Sequence, residues 1–497
     1  SENYDRFTAK RINFDQQENM SLQLGSAQDQ NAWSEGNQWT INSFFSRVNY
    51  TFANKYVIEG TIRADGSSRF DPDHRWGWFP GVNAAWRVGE EGFMKRLGWF
   101  EDLKVRASYG EMGNQSGIGL YDYIQLISLS NDYYPFGTGV KGQMATSGNI
   151  ISTSRTWETI QTTNVGFDFS TLNNRLYGSF DYFWKENKNM LIPKTYPSML
   201  GADAPSTNSG HLSIHGWEIS LGWRDQIKDF SYSVRFNISD AKNKVVDRVG
   251  SNLIKLGNNE TPTGYPLNSY FGYEFDGIIQ NEQELEAYKS RFSEGGIPGD
   301  LSVGDAMYKD LDGDGKLSVL GDGKEGSGDV KYLGDKNPRY NFGFNLSMAW
   351  KGFDLSAFIQ GVGRRTMFLE GESRCPMPEA WYQSAEYWYG KTWTPERTDA
   401  QYPAITLKDK RNYNYYVSTN TKFNVAYARL KNLQFGYTIP QTLTSKAGLQ
   451  KVRVYFSGED LFEVHNTPNG WDPEENSGSI TSYPFTRNYS FGINVVF

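Results

Sequence analysis

One pattern recurs along the chain: an extended run in which every second residue is apolar and those between are polar or charged. Side chains of an extended strand alternate faces, so each run describes a ribbon with one greasy side and one wet side. In 42–53, Val48, Tyr50 and Phe52 oppose Arg47, Asn49 and Thr51; in 55–67, Tyr56, Ile58, Gly60, Ile62 and Ala64 oppose Val57, Glu59, Thr61, Arg63 and Asp65. The last ten residues repeat it, with Tyr489, Phe491, Ile493, Val495 and Phe497 against Ser490, Gly492 and Asn494. Arg, Glu and Asp on the wet side are costly to bury in a dry sandwich core but comfortable against a hydrated lumen. The pattern predicts thirteen strands, at 42–53, 55–67, 77–89, 102–113, 157–171, 174–191, 209–224, 230–247, 340–350, 353–363, 424–439, 452–464 and 485–497.

The connections alternate in length. Asn54, 172–174, the stretch around Gln226 and Lys351-Gly352 are short, with 90–101 and 440–451 somewhat longer, whereas 114–156, 192–208, 248–339, 364–423 and 465–484 are long. That asymmetry belongs to membrane barrels, with short turns on one side and long loops on the other. Trp86, Trp184, Trp223 and Trp350 are expected near strand ends as an aromatic girdle. The fold class is therefore all-β, a transmembrane antiparallel barrel in which 42–497 supplies the strands and 1–41 reads as the remnant of an external loop. Thirteen strands do not make an even, closed barrel, and an open edge cannot face lipid, so further strands are expected elsewhere.

Composition agrees. Aromatics make up 15% of the residues, and 51 glycines suit turns and close strand contacts. A net charge of -7 provides no basic face for nucleic acid. No apolar run reaches the ~18 residues of a membrane helix, and the single cysteine, Cys375, excludes an internal disulfide framework.

The stretch TIRADGSSRFDPDHRWGWFPGVNAAWRVGEEGFMKRLGWFEDLKVRASYGEMGNQ, 61–115, resembles the SusC/RagA-like TonB-dependent outer-membrane transporters. So do GDAMYKDLDGDGKLS, NPRYNFGFNLSMAWKGFDLSAFIQG, TWTPE with Gln401-Tyr402-Pro403, ARLKNLQFGYTIP, VRVYFSGEDLF and the terminal strand, in that order. The resemblance implies a C-terminal barrel half of about 22 strands around a plug, with the plug, first strands and TonB-contacting segment lying outside this chain. It further implies location in the Gram-negative outer membrane, a SusD-like surface lipoprotein as lid, and energised import of oligosaccharides. Peptide import of the RagA type is the alternative, with a passive porin or a secreted all-β adhesin as different-class rivals. The C-terminal aromatic resembles the signal read by barrel-assembly machinery.

Two loop sites stand out. Asp310, Asp312 and Asp314, followed by Gly315, the carbonyl of Lys316 and Ser318, have the spacing of a calcium loop. Position 12 is Gly321, so the bidentate ligand is missing unless Asp322 substitutes; Ca2+, or else Mg2+, stiffening an external loop is the expectation, and a polar Asx-turn without an ion is the competing reading. The second site is EAWYQSAEYWYGKTW, where Trp381, Tyr382, Tyr387, Trp388, Tyr389 and Trp393, joined by Tyr413, Tyr415 and Tyr416, form a candidate stacking platform. Packing that holds the loops together is the competing role of any one ring. Arg47, Glu59, Arg63, Asp65, Arg87, Lys104, Arg106, Asp168, Asp181, Glu218, Arg224, Arg235 and Asp354 are expected on the lumen, their mixed signs suggesting mutual pairing. No enzyme motif appears: His211 and His215 lie about 13 Å apart on a strand, and adjacent Glu459 and Asp460 do not converge as a glycosidase pair.

Overall fold

The computed structural model describes residues 2–11, 30–130, 135–136, 140–141, 144–147, 150–193, 199, 205–248, 257, 262–319, 328–378, 383–406, 410–475, 478 and 485–497. Thirteen strands form one antiparallel sheet in which each pairs with its neighbours in sequence. They are β1 (Ile41–Phe52), β2 (Tyr56–Ser67), β3 (Trp76–Trp86), β4 (Asp102–Asn114), β5 (Glu158–Thr171), β6 (Leu176–Pro193), β7 (Ser206–Ile227), β8 (Phe230–Arg248), β9 (Arg339–Trp350), β10 (Phe353–Arg364), β11 (Tyr427–Thr438), β12 (Lys451–His465) and β13 (Asn488–Val496). The sheet is not closed, with β1 and β13 at its edges, so the chain is a portion of a barrel. Ahead of β1, Glu2–Arg11 and Gln30–Trp39 pair as an antiparallel ribbon, regular structure where a loop remnant was expected.

Backbone geometry explains the short turns. Lys351 and Gly352 both take left-handed φ, 45° and 89°, between the paired Trp350 and Phe353; two such residues make a turn whose twist matches that of the strands. Ala53 and Asn54, at φ 51° and 55°, do the same work between β1 and β2. At this end β3 stops at Trp86, short of the expected residue 89, because Val88–Glu90 coils into a 3-10 turn ahead of the helix Gly92–Leu97. Arg87 therefore leaves the lumen wall and pairs with Glu90 at 3.7 Å.

Cross-strand partners share a face, so the register sorts side chains into rows. Val105, Phe167, Phe180, Ile219 and Ile238 form one continuous outward row. One residue along each strand, Arg106, Gly166, Asp181, Glu218 and Ser239 line up on the lumen side. At the turn end, Phe52, Tyr56 and Trp86 stack in sequence, and Trp350, Phe353 and Tyr437 continue the outer aromatic rim. Trp184 is the exception to the strand-end expectation, since β6 runs nine residues past it to Pro193. It lies eight residues above Leu176, ~20 Å up a strand tilted by about 40°, near the far edge of an apolar band about 25 Å tall.

At the opposite end the long connections fold on one another. Residues from 273–308 and Tyr413 form one core, with Tyr273, Ile279, Leu285, Tyr288, Leu301, Met307 and Tyr308 buried in it. Its helix α1 (Glu282–Lys289) starts at Asn281, whose side chain accepts the Glu284 N–H, and buries Leu285 and Tyr288. The tyrosine tips are satisfied internally: the Tyr288 and Tyr413 hydroxyls meet at 2.8 Å, and the Tyr308 hydroxyl donates to the Tyr413 carbonyl at 2.9 Å. A second core gathers Met367, Leu369, Cys375, Trp388, Tyr402, Tyr415, Val425 and Trp471 from three separate segments. Two arginines clamp the last loop down. Arg365 donates to the Pro473 and Glu475 carbonyls, both at 2.7 Å, and the fully buried Arg429 binds Glu463 at 2.6 Å, Asp472 at 2.7 Å and Glu474 at 3.1 Å.

Phe180→Arg on the outer row should destabilise the barrel by about 2–4 kcal/mol in lipid vesicles, while Ser179→Arg on the lumen side should be tolerated; reversed or equal losses in urea titrations would contradict the face assignment. Arg429→Ala leaves three carboxylates without their buried cation, for which a local loss of about 3–5 kcal/mol is expected. It should appear as faster amide exchange across 466–475, and unchanged protection there would show the clamp to be dispensable.

Candidate transport lumen and loop sites

Neighbouring strands place opposite charges side by side along the lumen wall. Arg106 reaches Asp168 at 3.1 Å and Asp181 at 2.6 Å, and Lys104 adds a contact to Asp168 at 2.8 Å. Gly166, opposite Arg106, leaves the room for that guanidinium, which lies against the position a Cβ would take. Arg47, Asn49 and Asn83 converge on Glu59, Arg63 binds Asp65 at 2.7 Å, and Arg453 bridges to Asp354 at 2.9 Å. Arg224 and Arg235 both lie over the Tyr177 ring, 5.2 and 5.8 Å from its centroid. Charges of both signs are thus present, but largely engaged with one another, and the wall presents hydrogen-bonding groups more than a field of one sign. The sequence did not single out Asn83, Tyr177 or Arg453; only cross-strand register reveals them as partners.

The acidic loop closes as its spacing suggests. Carboxylate oxygens of Asp310, Asp312 and Asp314 lie within 4.8 Å of one another, a separation that oxygens around one calcium ion span at their usual ~2.4 Å bond lengths. Gly313 and Gly315, at φ 75° and 76°, give the left-handed bends that bring them together. Asp310 also accepts the N–H groups of Gly313 and Gly315, at 2.7 and 2.9 Å. Ser318 is next to this cluster, its N–H donating to Asp329 at 2.8 Å, and Lys316 donates its N–H to Asp314. Asp322 lies outside the described residues. Asp329, missed in the sequence for want of the regular spacing, is buried behind the loop and braces it by accepting from Leu311 and Ser318. Burial raises its carboxyl above the usual range; the two N–H donors oppose this, and the neighbouring Asp312 and Asp310 add to it.

The expected aromatic platform is dispersed. Trp388, Tyr413 and Tyr415 are buried in the two loop cores, so their faces pack against protein. Tyr387 is half-buried, its hydroxyl 2.6 Å from that of Tyr402 and its ring beneath the Lys391 ammonium. Trp393 donates its indole N–H to Gln280 at 3.0 Å, and Tyr416 packs on Tyr273 with centroids 5.2 Å apart. Tyr389 is the exposed member, at 89%. Trp381 and Tyr382 lie outside the described residues. Among the described residues, density of rings in sequence marked loops that pack together, with Tyr389 as the exposed exception.

Comparison with known proteins places these features in a family. The family model for the TonB dependent receptor-like β-barrel matches residues 2–461. TonB-dependent receptor P3 of Formosa agariphila is 32% identical over 490 residues, covering 93% of this chain and 46% of the relative. TonB-dependent receptor SusC of Bacteroides thetaiotaomicron is 27% identical over 497 residues, covering 94% and 45%. Among solved structures, the RagAB peptide importer in its closed-closed state superposes with a TM-score of 0.80 at 22% identity, over 99% of this chain and 52% of that one. The chain spans about half the length of the curated relatives it matches. With its sheet, register and loop asymmetry, the chain belongs to the TonB-dependent receptor β-barrels of the Gram-negative outer membrane.

Proposed function

We propose that this chain forms the larger part of the barrel of an active nutrient importer, taking up oligosaccharides under a SusD-like lipoprotein lid with energy relayed through TonB. The observation that carries the cargo assignment is the pairing of lumen charges, Arg106 with Asp168 and Asp181 and Arg453 with Asp354. A wall whose ions largely satisfy one another offers many polar contacts and little net attraction for a charged polymer, which suits a neutral, hydroxyl-rich chain. The long loops support the lid: three of them share packed cores over one mouth, giving a preformed surface for a second protein. Peptide cargo is the second reading, favoured by the shared fold of RagAB, which is a peptide importer. The Asp310 loop is proposed as a Ca2+ site, with Asp310, Asp312 and Asp314 as carboxylate ligands and the Lys316 carbonyl and Ser318 hydroxyl completing it; the ion would relieve the mutual repulsion of the acids and fix the loop.

Uptake assays in cells producing the transporter test the cargo. Neutral oligosaccharides should accumulate in a TonB-dependent manner, with peptides of equal size excluded; accumulation of peptides instead would transfer the assignment to the second reading. For the metal, Ca2+ should bind in the ~10⁻⁴–10⁻³ M range typical of extracellular sites and protect 310–319 from proteolysis. At tenfold excess over Kd it should stabilise the loop by about 1.4 kcal/mol. Asp312→Asn with Asp314→Asn should abolish that protection, and equal protection by chelator and Ca2+ would refute the site.

A further inference from the structure

The pairing of β8 with β9 ends at Ser239 and Asn341, while β8 continues upward beside β7 as far as Arg248. The notch this leaves is a cavity of about 390 Å³ whose lining includes His215, Lys242, Lys244, Arg339 and Arg364. The acid in its lining, Asp335, accepts the Tyr332 hydroxyl at 2.7 Å and the Asn337 N–H at 3.0 Å, and the neighbouring Asp240 holds the lining Arg339. Lys242 and Lys244 are exposed, and neither they nor Arg364 has an ion-pair partner among the described residues. The cavity therefore carries an excess of positive charge.

Register fixes which way the lysines point. Lys242 stands opposite His215, which stands opposite Trp184; Asp240, one step below, stands opposite Trp217, itself opposite Tyr182. Tyr182, Trp184 and Trp217 share the outward face with Phe180 and Ile219, so Lys242 and Lys244 share it too. Height follows from strand length. Lys242 is twelve residues above Phe230 and His215 twelve above Ile227, ~30 Å up strands tilted by about 40°. That lies just beyond an apolar band about 25 Å tall, at the depth of lipid headgroups. Glu186 shares this wall but is occupied by His211 at 2.6 Å and Ser213 at 2.7 Å.

We propose that this notch binds a phosphorylated lipid headgroup of the outer leaflet, with Lys242, Lys244 and Arg364 contacting the phosphate and the Tyr182, Trp184 and Trp217 wall lying against its acyl chains. Cations at this depth attract anionic headgroups, and ammonium and guanidinium groups form strong charge-assisted bonds to phosphate oxygens. A soluble cargo is the poorer match, because the lysines stand on the lipid side of the sheet.

The transporter purified from its own membrane in mild detergent would be titrated with diphosphoryl lipid A, with the same lipid after dephosphorylation, and with inorganic phosphate, following binding by native mass spectrometry. The phosphorylated lipid should bind, the dephosphorylated one should bind at least about tenfold more weakly, and inorganic phosphate should not match the lipid. Lys242→Ser with Lys244→Ser should weaken lipid binding about fivefold for each cation removed, with Lys228→Ser in the turn at the other end as an unaffected control and heat-modifiable electrophoretic mobility reporting the folded barrel. Equal binding of the two lipids overturns the proposal without recourse to any variant. Unchanged binding by the folded double variant also overturns it, and equally tight inorganic phosphate would make the notch a free-anion site and reject the lipid assignment.

Discussion

Every residue of the wall has neighbours facing two different media, and the antiparallel ladder makes that division common to all strands. Within lipid the backbone donors and acceptors have no water to turn to, so strand must pair with strand along the whole membrane depth. Once paired, the register is tightly constrained: a slip of one residue would carry Arg106, Asp181 and Glu218 into hydrocarbon and Phe167, Phe180 and Ile219 into the lumen. The ion pairs of the lumen are a consequence. Arg106 can meet Asp168 and Asp181 because register has already put all three on the wet face within a few ångströms.

Outside the membrane a different economy rules. The long loops have water on every side and behave as small globular units, burying aromatics and satisfying their hydroxyls, as Tyr288, Tyr308 and Tyr413 do. Because these two cores draw on distant segments, the described parts of the loops after β8, β10 and β12 pack as one body. Val425 at the foot of β11, Met367 after β10 and Trp471 between β12 and β13 meet in one cluster, and Arg365 and Arg429 fasten the last loop to strand ends. A body built in this way presents a shaped surface at one end of the sheet.

The wall was legible in the sequence to within a few residues at most strand ends, because a period of two is a strong local signal where each face has its own solvent. It failed where local signals compete. Arg87 fits the alternation but is drawn into the turn beginning at Val88, and Trp184 looks like a strand end until β6 is seen to rise beyond the bilayer. The acidic loop was equally readable, since Asp310, Asp312, Asp314 and Gly315 carry their geometry in their spacing; Asp329 was not, because it arrives from the far side of the loop. The aromatic segment was the least readable. Trp388 and Tyr389 are adjacent in sequence, yet one is buried and the other fully out in solvent, and no local property separates them.

Sequence alone determined the fold class, the face that residues occupy along the regular stretches of each strand and the end at which the long loops gather, since all three follow from periodicity and connection length. Tertiary structure decided which charges meet, which rings are enclosed and where the wall opens a cationic notch between β8 and β9. Those outcomes depend on pairing between residues remote along the chain: alternation tells a side chain which way to point, but only register and loop packing tell it what it will find there.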